Sequence, residues 1–201
     1  MRSVTEPAQR SVRQKVRKKS PLLVGGVICL VAGVTLALIF SNTSARLPGN
    51  TASGGVNLSP GQQEQRELAQ AAVLEQQGQL TEALQIYEQV LTQDPGNPGA
   101  LSEAGWLEFE AGVLGGDEKS LEQGESQEQS AVSIDPGLPS ARAFLGSMYF
   151  VEGEMAEAVV QYSQFLADKP TVSEMSPFLP DIRTAFSKTN TPLPAIARAG
   201  A

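Results

Sequence analysis

"GEMAEAVVQYSQFLADKP" (residues 153–170) has a near-copy 75 positions upstream, "GQLTEALQIYEQVLTQDP" (residues 78–95). Seven of the eighteen columns are identical (Gly, Glu, Ala, Tyr, Gln, Leu and Pro), and several others exchange one apolar residue for another. In the upstream copy Leu80, Ala83, Leu84, Tyr87, Val90 and Leu91 recur at intervals of three and four, which places them on one face of an amphipathic helix. Met155, Ala158, Val159, Tyr162, Phe165 and Leu166 repeat the pattern. Pro95 and Pro170 end the two helices, because proline lacks the N–H that would continue the hydrogen-bond ladder. A second apolar-periodic stretch precedes each copy, so the unit is a helical hairpin turning at Gly78 or Gly153.

A third copy lies between them. Pro95 to Pro136 is 41 residues and Pro136 to Pro170 is 34, so the middle unit is seven residues longer. Its first helix, "ALSEAGWLEFEAG" (100–112), keeps Ala104, Gly105 and Gly112. Its second, "SLEQGESQEQSAVSIDP" (120–136), keeps Leu121, Ala131, Val132 and Pro136 but is polar, with Gly124 where alanine is expected. The extra residues are placed near "VLGGDEK" (113–119), as a lengthened turn. Downstream, "MSPFLPDIRTAFSKT" (175–189) sets Phe178, Leu179, Ile182 and Phe186 at helical spacing, which predicts a capping helix within 173–190. Residues 191–201 read as a loose, disordered tail.

The pattern resembles the tetratricopeptide repeat, a 34-residue helix-turn-helix unit. The unit at 139–172 carries the resemblance best, with Leu145, Gly146, Tyr149, Gly153, Ala158, Tyr162, Phe165 and Pro170 in phase. The unit at 64–97 supplies Ala71, Leu74, Gly78, Ala83, Tyr87 and Pro95. The unit at 98–138 departs from the pattern at Glu108, where the family has an aromatic. The resemblance implies an all-α solenoid of about three helical hairpins over 64–170, with each unit burying its apolar face against the next. It also implies a groove lined by the first helices, which holds a peptide or partner helix. Placed residue by residue, that peptide-binding groove comprises Leu68, Ala72, Glu75, Ser102, Trp106, Phe109, Glu110, Ala143, Ser147 and Phe150. Trp106 is the only tryptophan. Its ring serves either as an anchor for a client or as packing under the inserted residues or the cap.

The amino-terminal region is of another kind. Residues 1–20 hold Arg2, Arg10, Arg13, Lys15, Arg17, Lys18 and Lys19 against Glu6 alone, while residues 21–201 hold eight basic and twenty-one acidic residues, a net of −13. An acidic body argues against nucleic-acid binding, which needs a basic footprint. "PLLVGGVICLVAGVTLALIF" (21–40) has no charged residue, and twenty residues of helix span roughly 30 Å, the thickness of a bilayer core. With the basic tail beside it this run predicts one transmembrane helix, the amino terminus cytoplasmic and the remainder extracytoplasmic. The apolar run is longer than that of a signal peptide, and "SNTSAR" offers no good cleavage site. Residues 41–63, rich in Ser, Asn, Gly, Thr and Pro, read as a flexible linker.

Histidine is absent and Cys29 is the only cysteine. Histidine-dependent triads, histidine-ligated zinc and intrachain disulfides are therefore excluded, and no catalytic, metal or cofactor site is expected. The layout is similar to that of bacterial inner-membrane tetratricopeptide proteins. Among these it resembles accessory subunits of cytochrome c maturation, which hold apocytochrome for haem attachment. Many of those subunits have a second membrane helix that this chain lacks. The expected function is a membrane-anchored scaffold for a protein or peptide client, with a structural adaptor for another envelope assembly as the alternative.

Overall fold

The computed structural model describes residues 59–199, all of whose regular elements are helices. The basic tail, the apolar run at 21–40 and most of the linker lie outside the described residues, among which no helix is long and apolar enough to cross a membrane. Six helices form three consecutive hairpins: α1 (Pro60–Gln76) with α2 (Leu80–Gln93), α3 (Pro98–Gly115) with α4 (Glu118–Ile134), and α5 (Pro139–Glu152) with α6 (Met155–Ala167). The one-turn α7 (Val172–Met175), α8 (Leu179–Lys188) and the short α9 (Ala195–Ala199) follow among the described residues.

Local chemistry sets the helix starts. Ser59 accepts from the backbone N–H of Gln62 while the Gln62 side chain reaches back to Ser59, a capping box that starts α1 four residues before Glu64, where the repeat pattern begins. Asn97 and Asp117 cap α3 and α4 with their side-chain oxygens. Proline stands in the first turn of α1, α3 and α5, where its missing N–H is not needed.

The second helix of each hairpin packs on the first helix of the next, α2 on α3 and α4 on α5. The cap continues this order. α8 packs on α6 and α5, taking the place a fourth hairpin's first helix would have. Phe178, at the α8 cap, sets its ring edge-on to Phe144 of α5 and to Phe165 of α6. Phe178, Leu179, Ile182 and Phe186 are all buried, but Ser176–Phe178 interrupts the helix expected across 173–190. The closing segment is not loose as its composition suggests. Ala197 is fully buried, Arg183 donates to its carbonyl at 3.3 Å, and Leu193 and Ile196 pack against the same core.

The seven-residue insertion also differs from expectation. The turn between α3 and α4 is only Gly116 and Asp117, with Gly116 in the left-handed region at φ 68°. The added length is helical instead: α3 has 18 residues against 14 in α5, and α4 has 17 against 14 in α2. Seven residues are about two helical turns, so one further turn on each helix leaves the facing residues in register.

Candidate functional site

α3 is the central helix of the stack. Every residue from Ala100 to Glu110 is buried, because α2, α4 and α5 all adjoin it. That position explains where the groove residues go. Trp106 and Phe109 are each only 1% exposed. The Trp106 ring stacks on Phe144 of α5 at 4.9 Å between centroids and 16° between planes, and it lies 6.2 Å from Phe109. The ring packs on the next hairpin, at Phe144, which in turn meets Phe178 at the cap. Ala72, Glu75, Ser102, Glu110, Ala143 and Ser147 are buried as well, while Leu68 and Phe150 remain half-exposed. The structure thus buries most of the ten residues and leaves few of them as an open lining. Trp106 of α3 is covered by Phe144 of the next first helix, α5.

What the sequence pattern did not single out is polar. Buried among these helices are Glu75 on α1, Glu103, Glu108 and Glu110 on α3, and Glu128 on α4. Glu128 is fully buried and accepts a hydrogen bond from Ser102 Oγ at 2.7 Å. Glu108, which replaces an expected aromatic, accepts from Gln123 Nε2 at 2.8 Å. Loss of solvent is the main cause that pushes Glu103, Glu110 and Glu128 above the ordinary carboxylate range, Glu110 to about 7. The charge of Glu75 adds to the rise at Glu103 and Glu110, and that of Glu103 adds at Glu128. Burial, with Glu103 and Glu75 nearby, likewise raises the Tyr87 hydroxyl. The indole of Trp106 opposes the rise at Glu110. Among the described residues no group of three or more His, Cys, Asp or Glu is arranged to hold a metal ion.

A simple count would have found the deepest of these carboxylates. Tyr87, Glu128 and Tyr162 each lie eight residues before a closing proline, at Pro95, Pro136 and Pro170. The middle hairpin therefore carries a carboxylate where its neighbours carry a ring.

Residues 74–114, the end of α1, all of α2 and nearly all of α3, match a protein family described as Tetratricopeptide repeat. The match and the three stacked hairpins together support a tetratricopeptide-repeat protein. No curated protein matches the chain. The matched span takes in the junction between the first two hairpins, with the Glu75, Glu103 and Glu110 carboxylates inside it. The second and third tetratricopeptide-type hairpins, which hold Trp106, Phe144 and Tyr162, follow from the internal repeat and the packing.

The raised carboxyls make stability depend on pH with a definite sign. A folded carboxyl held above its unfolded value binds its proton more tightly when folded. Its contribution is therefore complete below the unfolded value and is lost as pH rises through the folded one. For Glu110 that window runs from 4.5 to about 7, and for Asp181, raised by burial, from 3.8 to about 6. Asp117, exposed and held low chiefly by its Ser120 hydrogen bond, acts in the opposite sense only below 3.8. The urea midpoint should fall between about pH 5 and pH 8, and Glu110→Gln should flatten the upper part of that fall. A midpoint that rises across this range contradicts the assignment.

Proposed function

We propose that this chain is a membrane-anchored, extracytoplasmic scaffold that binds a protein or peptide client through its helical hairpins. The observation that carries the reading is the stack itself. Three hairpins bring the first helices α1, α3 and α5 into succession, with α3 adjoining α5, and the tetratricopeptide match falls on the first two. Repeats of this kind generally bind protein or peptide partners. The anchoring half of the reading rests on the uncharged run 21–40 beside seven basic residues. The client we favour is apocytochrome awaiting haem attachment, on the resemblance of the layout to cytochrome c maturation subunits.

Two measurements in one bacterial strain test this. An alkaline phosphatase fused after residue 201 should be active, since that enzyme works only outside the cytoplasm. Deleting the gene should lower the covalent-haem stain of c-type cytochromes. An inactive fusion overturns the orientation. An unchanged haem stain with defects in wall or division assembly instead favours the adaptor function.

A further inference from the structure

Two residues of α4 depart together from their counterparts in the third hairpin. Gly124 and Glu128 stand 34 residues before Ala158 and Tyr162 of α6. In the third hairpin the Tyr162 ring lies over Gly146, and its hydroxyl meets Ser147 Oγ at 3.0 Å. The middle hairpin has no ring at this place, and α3 and α4 meet there backbone to backbone. A Cβ on Gly105 would stand 2.9 Å from the Gly124 carbonyl oxygen and 3.3 Å from the Glu128 amide nitrogen. The Glu128 side chain lies in the same crossing with 0% exposure, so water reaches it only if the helices part. Ser102 Oγ of α3 donates to its Oε1 at 2.7 Å, and Oε2 has no hydrogen-bond partner.

This setting suits a neutral carboxyl and not an anion. An ionised carboxylate has about four acceptor positions, and the crossing offers it one hydroxyl. Burying a charge so poorly satisfied is costly. No cation offsets that cost. α3 has no basic residue and sets Glu103 near the group, where its charge adds to the penalty. α5, the other helix packed on α4, carries only Arg142 and Glu152 as charged residues. Arg142 donates to the Pro136 carbonyl and to Gln161 Oε1 of α6. On α4 itself Glu125 stands one turn before Glu128, and the nearest base, Lys119, is more than two turns away.

We propose that Glu128 is a proton-operated latch on the α3–α4 crossing: with its proton the two glycine-lined helices close, and without it they part to let water reach the carboxylate. The sign follows from linkage. A carboxyl that holds its proton more tightly in the closed hairpin favours closure at low pH, and that contribution is lost as pH rises through the closed-state value. A tyrosine at this place, as in the other two hairpins, has no charge to lose in the neutral range, so the device belongs to the middle hairpin alone. It acts on α3, which carries Trp106 and Phe109 into the packing against α5. The inference stands apart from the client reading and does not need it.

Trp106, the only tryptophan and one turn along α3 from Ser102, reports the opening in the full-length protein. Its quenching by acrylamide should rise at least about threefold between pH 5 and pH 9, with the helical circular dichroism unchanged. Glu128→Gln keeps the acceptor for Ser102 but cannot ionise, and should hold quenching at its pH 5 value. Glu128→Leu, of similar size and without the polar end, should do the same and decides if the glutamine variant fails to melt cooperatively. Glu110→Gln removes the raised carboxyl that the indole acts on, and should leave the rise in place. Carboxyl carbon-13 shifts of the parent need no variant: one glutamate should titrate with the midpoint of the quenching. Flat quenching in the parent, or a rise that comes with loss of helix, overturns the latch. So does a rise that survives in a folded Glu128 variant or vanishes in Glu110→Gln, or the lack of any carboxyl sharing its midpoint.

Discussion

Trp106→Ala should lower the stability of the folded domain by about 3–5 kcal/mol, the range for removing a large buried aromatic. The indole is 1% exposed and stacked on Phe144, which in turn meets Phe178 at the cap. Truncation would open a void on the line of rings that joins the middle hairpin, the third hairpin and α8. Cooperative unfolding in urea, followed by circular dichroism since the fluorophore is gone, measures the loss. A variant as stable as the parent would show that the ring is an open anchor, in which case it should lose affinity instead.

Gly124→Val should be nearly as damaging, at about 3 kcal/mol. The close crossing of α3 and α4 depends on two facing glycines. A Cβ at Gly124 would overlap the Gly105 carbonyl oxygen and stand 2.8 Å from the Phe109 amide nitrogen, both of them backbone atoms with no rotamer to yield. Alanine, which the repeat pattern expects here, would meet the same backbone. The control is Gly61→Ala, where an added Cβ meets nothing within 4 Å and a negligible change is expected. An equal and small effect at both positions would mean that α3 and α4 do not cross as closely as described.

The second helices and their closing prolines were legible because their apolar period and the sequence spacing agree. Leu145, Gly146, Ala158 and Tyr162 are all buried where the repeat pattern puts its core. The insertion was misplaced for a physical reason. Glycines at 115 and 116 suggest a loop, yet only Gly116 takes the left-handed conformation, and Gly115 ends α3 as a helical residue. The α1 start was missed because Ser59 and Gln62 form a capping box outside the repeat pattern. The site was less legible than the fold. Repeat position says which way a side chain points from its own helix, but not how closely the next hairpin approaches. The stacking of Trp106 on Phe144 depends on that approach. The carboxylates Glu103 and Glu128 carry no sequence signal of burial; it is the packing of α3 against α2, α4 and α5 that encloses residues 100–110.

The central claim is that the hairpins bind a client along the first helices that keep exposed surface, at the half-exposed Leu68 of α1 and Phe150 of α5. Hydrogen–deuterium exchange of the full-length protein, with and without a carboxyl-terminal apocytochrome c peptide, tests it most directly. The account predicts slowed exchange concentrated in α1 and α5, and little change in α2, α4 and α6 or in α3, whose residues 100–110 are buried without any client. Protection confined to the second helices, or none at saturating peptide, would contradict it.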